Sequence, residues 1–271
     1  TNFDILSPDT KFVGLDNYVK LFTQDKLFLK SLFVTFKFAF ISVPLRLIFA
    51  LFVAMILNRK SRAVPVYRVV YYLPSIIGGS VAVSVMWRNL FTKSGVLNSI
   101  LQAMGINCKI NWLGNTDTAI YVLILLYVWQ FGSSMLIFLS GLKQISTSYY
   151  EAAEVDGAGK IRMFFSITLP LLSPIILFNL IMQIINGFMV FTQAQIITGG
   201  GPVNETLVYI LYLYQNSFKY YEMGYGSAMA WILLVIVGFF TAMVFRSSKQ
   251  WVFYENNTDM ASKKKKGVSR T

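Results

Sequence analysis

Five long apolar segments dominate this chain, at about residues 31–57, 66–91, 118–141, 171–197 and 227–246. A helix needs roughly 20 apolar residues to cross the hydrocarbon core of a bilayer, and each segment reaches that length. The interior of a bilayer offers a backbone no hydrogen-bond partners, so each segment must satisfy its own. The expectation is an all-α membrane protein with five spanning helices. Pro44 interrupts the first span and Pro174 stands near the start of the fourth. Such breaks are tolerated where neighbouring helices re-satisfy the backbone.

Composition agrees. The chain is 55% hydrophobic and 13% charged, against about 25% charged in an ordinary soluble domain. None of the acidic residues lies inside an apolar run. The net charge of +12 does not point to nucleic acid, because the basic residues sit at the ends of the spans rather than in one patch. With Cys108 as the sole cysteine and no histidine, an internal disulfide, a Cys-based metal cluster and His-based catalysis are excluded. No metal or cofactor is expected.

The basic residues set the orientation. Arg59, Lys60, Arg62 and Arg68 follow the first span, Lys143, Lys160 and Arg162 follow the third, and Lys263 to Lys266 lie in the tail. These outnumber the basic residues of the alternate regions, so the positive-inside rule places loop 142–170 and the tail in the cytoplasm. Three parts result: an outer segment 1–30 with a short helix starting after Asp16 as its cap, a membrane domain 31–246 containing the loop 142–170, and a basic tail 247–271.

That loop carries Glu151-Ala152-Ala153-Glu154-Val155-Asp156-Gly157, followed ten residues later by Ile167-Thr168-Leu169-Pro170. Glu and Ala favour helix, so Glu151 to Asp156 should form about two turns. Gly157 supplies the conformation that stops them. Paired alanines leave a low-relief surface for a partner's groove, and the carboxylates offer charge-assisted bonds. The pattern resembles the cytoplasmic signature of ABC-importer permease subunits. Phe12-Val13-Gly14-Leu15-Asp16-Asn17-Tyr18, Tyr67-Arg68, Leu73-Pro74, Trp87 and Thr198-Gly199-Gly200-Gly201-Pro202 extend the resemblance to the carbohydrate permeases of maltose-type, binding-protein-dependent importers.

The resemblance implies the transmembrane domain of a type I ABC importer in a bacterial cell membrane. It implies a second permease, a dimer of ATP-binding subunits, an extracellular solute-binding protein and a sugar substrate as partners. Glu151, Ala152, Ala153, Asp156 and Gly157 would be the coupling residues. The family has at least one more helix before the Phe-Val-Gly-Leu segment, so the chain is expected to lack the family's first helix. The chain has no Gly-x-x-x-x-Gly-Lys-Ser/Thr loop of its own, so ATP in the P-loop manner belongs to a partner.

A sugar site needs amides and hydroxyls for directional bonds and aromatic faces for the C–H side. The fourth span offers Asn179, Gln183, Asn186 and Gln193, expected on one helix face. Helix rise puts Asn186 roughly 24 Å from Pro170, past mid-depth. The third span offers Trp129, Gln130, Ser133 and Ser134, with Ser133 roughly 12 Å from the inner end. Interhelical bonding by such groups is the alternative role. Aligned without gaps from the Glu-Ala-Ala loop, Trp129, Gln130, Ser133, Gln183, Asn186, Gly187 and Val190 match positions that line the maltose site. Gly187 and Val190 stand where the maltose permease has amides.

Lys37 and Arg88, near span ends, read as snorkelling cations. Arg46 lies deeper, facing either a partner subunit or an inner cavity. The run Gly78-Gly79-Ser80 permits either close packing or a bend, and Trp87, Trp112 and the tyrosines at 209, 212, 214, 220 and 221 read as interfacial belt residues. The competing class is an ion-coupled secondary transporter of a small polar solute, which usually carries intramembrane carboxylates; the five spans contain none. An embedded enzyme lacks a visible catalytic constellation.

Overall fold

A computed structural model describes the backbone of residues 2–4 and 7–10 and all of residues 11–59, 62–106 and 110–253. Cys108, Lys60 and the tail from residue 254 onward lie outside the described residues. The chain opens with two short antiparallel strands, β1 (Asn2–Asp4) and β2 (Ser7–Lys11), in the segment read above as holding only a short helix. That helix, α1, runs Asp16–Thr23. Its first residue is Asp16 itself, and Leu15 at the cap position makes no side-chain cap bond.

The organising element is α2 (Lys26–Leu57), which carries Pro44 without ending. Its cap is Asp25, whose Oδ1 accepts from the backbone N–H groups of Leu27 (2.9 Å) and Phe28 (3.0 Å). The other carboxylate oxygen accepts from the hydroxyls of Tyr212 (2.7 Å) and Tyr225 (2.5 Å). One aspartate thus starts the longest helix and ties it to two later elements. Burial and the adjacent carboxylate push the Tyr212 hydroxyl well above its ordinary range, which keeps it a donor. Asp25→Ala is expected to cost about 3 kcal/mol, combining a lost cap with two lost charge-assisted bonds. A thermal melt of the solubilised protein should show it as a clear drop, larger than for Tyr225→Phe.

The second span is not straight. Helices α3 (Val64–Ile77) and α4 (Val81–Leu90) meet at a 97° bend. The expected continuous helix over 66–91 therefore gives way at Gly78-Gly79-Ser80, where Ser80 extends and caps α4 by accepting from Val83 N–H. After α5 (Val96–Ala103), the third span consists of α6 (Ala119–Trp129) and α7 (Gly132–Leu142), bent by 41°. Trp112, half-buried, donates its Nε1–H to Oδ1 of the buried Asn98 (3.0 Å).

Helix α8 (Thr147–Val155) precedes α9 (Lys160–Met163), a π-helical turn (Phe164–Thr168) and α10 (Leu169–Phe188). Pro174 has no N–H to offer the Pro170 carbonyl. The Ser173 hydroxyl donates to that carbonyl instead (2.6 Å) and accepts from Phe253 N–H (2.9 Å), docking the chain after the last helix onto α10. The fourth span also breaks before its expected end. Residues 189–191 separate α10 from α11 (Thr192–Ile197). Helix α12 (Tyr209–Tyr214), a second π turn (Gln215–Lys219) and α13 (Met223–Trp251) complete the chain.

Among the described residues, α2, the run Lys160–Ile197 and α13 are long and apolar enough to cross a membrane without a sharp bend; counting each bent pair as one span gives five. The core lies where α2 meets α6, α7 and α10. By contrast, α13 is peripheral and exposes Trp231, Leu234, Val235 and Phe239, as a face turned to lipid or another apolar surface does. At the end of the bundle opposite α8, Lys30 donates to Val203 carbonyl (2.8 Å) and pairs with Glu205 (2.9 Å), holding the Gly-Gly-Pro turn against α2. Tyr209 is buried there and donates to Met229 carbonyl (2.8 Å), while Tyr214, Tyr220 and Tyr221 stay exposed. Of the five tyrosines read as belt residues, Tyr209 and Tyr212 are therefore core residues.

Candidate functional sites: an exposed helix between spans and a polar layer inside the bundle

The helix expected at Glu151 begins one turn earlier. Ser146 extends and accepts from Ser148 N–H (3.3 Å), so α8 starts at Thr147. Its end follows from Gly157, at φ +78°. Gly157 N–H donates to Glu154 carbonyl (3.0 Å), and Ala158 N–H donates to Ala153 carbonyl (2.9 Å). This paired closure is the Schellman motif, which needs the left-handed conformation that glycine adopts freely. No residue of α8 is buried. Glu151, Ala152, Glu154 and Asp156 are exposed, and Val155 is 88% exposed. The helix is thus capped at both ends and leaves an apolar side chain uncovered.

Tyr150 anchors this helix. Its hydroxyl is 2.9 Å from Thr168 Oγ1 in the π turn. This bond links α8 to the turn that precedes α10. Beside it, Arg59, Arg68 and Lys143 line one groove with Tyr150 and Thr147. The sequence pattern located α8 and its stop, but Tyr150 carried no signal of its own.

Inside the bundle, the two broken spans are stitched together. Gln130 is buried, and its Nε2 donates to the carbonyls of Gly78 and Leu126 (3.2 Å each). Ser75 Oγ donates to Gln130 carbonyl (2.8 Å) and accepts from Ser133 N–H (3.0 Å). The side-chain amide of Gln130 thus joins the end of α3 to the break between α6 and α7. Gln130→Leu is expected to leave the Gly78 carbonyl unpaired and cost about 2 kcal/mol; the melting temperature of the purified protein checks it.

Trp129 stacks at a tilt on Trp87, with ring centroids 5.7 Å apart. Ser133, on α7, receives Arg46 Nη2 at 3.5 Å from α2. The Arg46 guanidinium lies 4.5 Å from the centre of the Tyr127 ring, and the Tyr127 hydroxyl donates to Gln183 Oε1 (3.1 Å) on α10. Ser133 and Gln183, singled out separately in two spans, are brought into one network. Arg46 and Tyr127 complete it. Arg46 was legible as a deep charge, whereas nothing in the sequence marked Tyr127.

The fourth-span amides do not share one environment. Asn179 and Gln183 are buried, Asn186 is exposed, and Gln193 belongs to α11, past the break. The expected four-amide face is therefore a two-amide buried face with Asn186 beyond it. Gly187 is buried against α2, where a Cβ would come within 3.1 Å of Val43 Cγ2, and Val190 is buried too.

The chain thus holds long apolar helices, bent helix pairs joined by polar side chains, and a capped helix exposed between them. The comparisons give its lineage. The family described as "Binding-protein-dependent transport system inner membrane component" matches residues 25–250, and the chain belongs to that family. It is 54% identical to the probable ABC transporter permease protein YesP of Bacillus subtilis, over 96% of this chain and 84% of that protein. It is 36% identical to the trehalose/maltose transport system permease protein MalF of Thermococcus litoralis, over 86% of this chain and 79% of that one. Among solved structures, a chain of the bacterial alginate ABC transporter in complex with its alginate pentasaccharide-bound periplasmic protein superposes with a TM-score of 0.76. That match has 22% identity and covers 88% of this chain and 83% of the other. The fold is accordingly that of a type I ABC importer permease, an inner-membrane component.

Proposed function

We propose that this chain is the permease subunit of an ATP-driven importer for a sugar or oligosaccharide. In this reading it forms half of a passage with a second permease. A solute-binding protein delivers the sugar on the outer side. Two ATPase subunits grip α8 on the cytoplasmic side, and their closure on ATP moves that helix. Tyr150 and its bond to Thr168 carry the motion to α10, which shifts against α2 and α7 as the bundle switches between two states.

The observation that carries the coupling role is α8 itself, a helix with no buried residue and with Val155 uncovered, closed by a glycine cap. The sugar assignment draws support from relatives named for trehalose and maltose and for arabinooligosaccharides. We assign the passage lining to Trp129, Gln130, Ser133, Gln183, Asn186, Gly187 and Val190. Gln130, Gly187 and Val190 would act by shaping it from within, since each is packed against this chain's own elements. Asn186 is the member free to meet substrate or the second permease.

The test is co-purification. A tagged chain should bring down an ATP-hydrolysing subunit, and uptake into vesicles should require ATP. Uptake that continues without ATP and follows a proton gradient would reject the reading. Asn186→Leu removes no packing and is expected to lower uptake about tenfold, the equivalent of one lost hydrogen bond. Normal uptake by an assembled Asn186→Leu transporter would remove it from the lining.

A further inference from the structure

Arg46 is a cation held 93% out of solvent near the middle of a membrane span, since it is 7% exposed. By helix rise it lies about 16 Å from the inner end of α2. A charge at that depth is costly, and such residues pair or serve function. Arg46 does neither with a carboxylate here: among the described residues the ion pairs are Lys20–Glu222 and Lys30–Glu205, both at the opposite end of the bundle from α8. Its contacts are the face of the Tyr127 ring and a 3.5 Å approach to Ser133 Oγ, and its Nε has no hydrogen-bond partner.

Arg46 is not alone in this. Ser42 Oγ, Ser134 Oγ and both polar atoms of the Asn179 side chain are also buried without partners. Ser42 stands one turn before Arg46 on α2, Asn179 one turn before Gln183 on α10, and Ser134 beside Ser133 on α7. These three helices pack on one another. Each unpartnered buried group costs about 1–3 kcal/mol. Unpartnered groups on three mutually packed helices are explained when another state supplies the missing partners.

We propose that Arg46 is the anion-recognising group of the passage, and that the transported sugar carries a carboxylate, as a uronic acid does. This rests on the permease reading above and narrows its substrate class. A guanidinium matches a carboxylate in two parallel N–H···O bonds. A single guanidinium balances one negative charge, which fits a carboxylate better than a phosphate monoester carrying nearly two. The Asn179, Ser42 and Ser134 side chains, with Gln183 and Ser133, supply the acceptors and donors that sugar hydroxyls require. In the state described here the layer is closed. Separation of α2 from α7 and α10 during transport would open it.

The test uses the assembled transporter in nanodiscs, with digalacturonate as the probe and the same disaccharide after carboxyl reduction as the neutral control. Thermal protection is measured against probe concentration. The acid form is expected to protect the wild-type complex with an apparent affinity at least about tenfold above the neutral form. Arg46→Gln should erase that preference, and Arg46→Lys should retain part of it. Equal protection by both sugars, no protection by the acid, or an undiminished preference in Arg46→Gln would overturn the proposal. If Arg46→Gln does not assemble, the wild-type comparison and Arg46→Lys still decide. Inorganic phosphate and glucuronate as competitors separate capture of any anion from capture of a sugar acid: displacement by phosphate as strong as by glucuronate would also overturn it. Absence of an ATPase in the purified complex would instead count against the permease reading.

Discussion

Gly157→Pro is expected to abolish ATP-dependent uptake while leaving the protein inserted in the membrane. Gly157 sits at φ +78°, and its N–H donates to the Glu154 carbonyl. Proline holds φ near −65° and has no N–H, so it breaks both the conformation and the bond, at about 3 kcal/mol or more. That cost falls on an exposed cap rather than on the core, because a Cβ at Gly157 meets no atom within 4 Å. The last turn of α8, with Asp156 and Val155, would then lose the shape on which the proposed docking rests. Gly157→Ala keeps the N–H and pays only for the left-handed backbone, about 1 kcal/mol, so it should lower uptake by less than tenfold. The graded pair separates cap geometry from side-chain loss. Vesicle uptake together with ATPase co-purification is the measurement. Wild-type values in the proline variant would show that this helix couples nothing.

Gly132→Val is expected to have the opposite signature, with loss of the folded protein itself. A Cβ at Gly132 would collide with the Tyr71 carbonyl oxygen and approach Tyr72 Cα to 2.7 Å. Both obstacles are backbone, which cannot rotate away. Helices α3 and α7 would have to separate, straining the Ser75 bonds to Gln130 and Ser133. Overpacking of this kind costs about 3 kcal/mol or more. The yield of monodisperse solubilised protein and its melting temperature report it. Gly79→Ala is the control, since nothing lies within 4 Å of a Cβ there, and it should change stability by less than about 0.5 kcal/mol. Equal stability of Gly132→Val and Gly79→Ala would mean that α3 and α7 do not approach as closely as described.

The long apolar runs and the Glu-Ala-Ala loop were legible because each rests on local physics. A backbone in hydrocarbon must be helical over a set length, and a helix ending at a glycine needs only that glycine. The bend between α3 and α4 was not legible in the same way. Gly78-Gly79-Ser80 permits a bend, but the 97° turn is held by Gln130, more than fifty residues later, whose Nε2 donates to the freed Gly78 carbonyl. The break at residues 189–191 likewise passes through an apolar stretch with no proline. Asp25 shows a third case. Its position before Lys26 was compatible with a cap, but its bonds to Tyr212 and Tyr225 join residues about two hundred positions apart.

By itself, then, the sequence determined the presence of several long apolar helices, the exposed helix with its glycine stop, and the polar residue types available within the third and fourth apolar segments. These follow from hydropathy, backbone conformation and periodicity, which act within a few turns. Only the tertiary structure decided that two spans bend, that Gln130 serves helix joining, that Asn186 stands outside while Asn179 and Gln183 are buried, and that Arg46 meets Tyr127 and Ser133. Those outcomes depend on which helices lie side by side, and a distance between helices has no representation in the spacing along one.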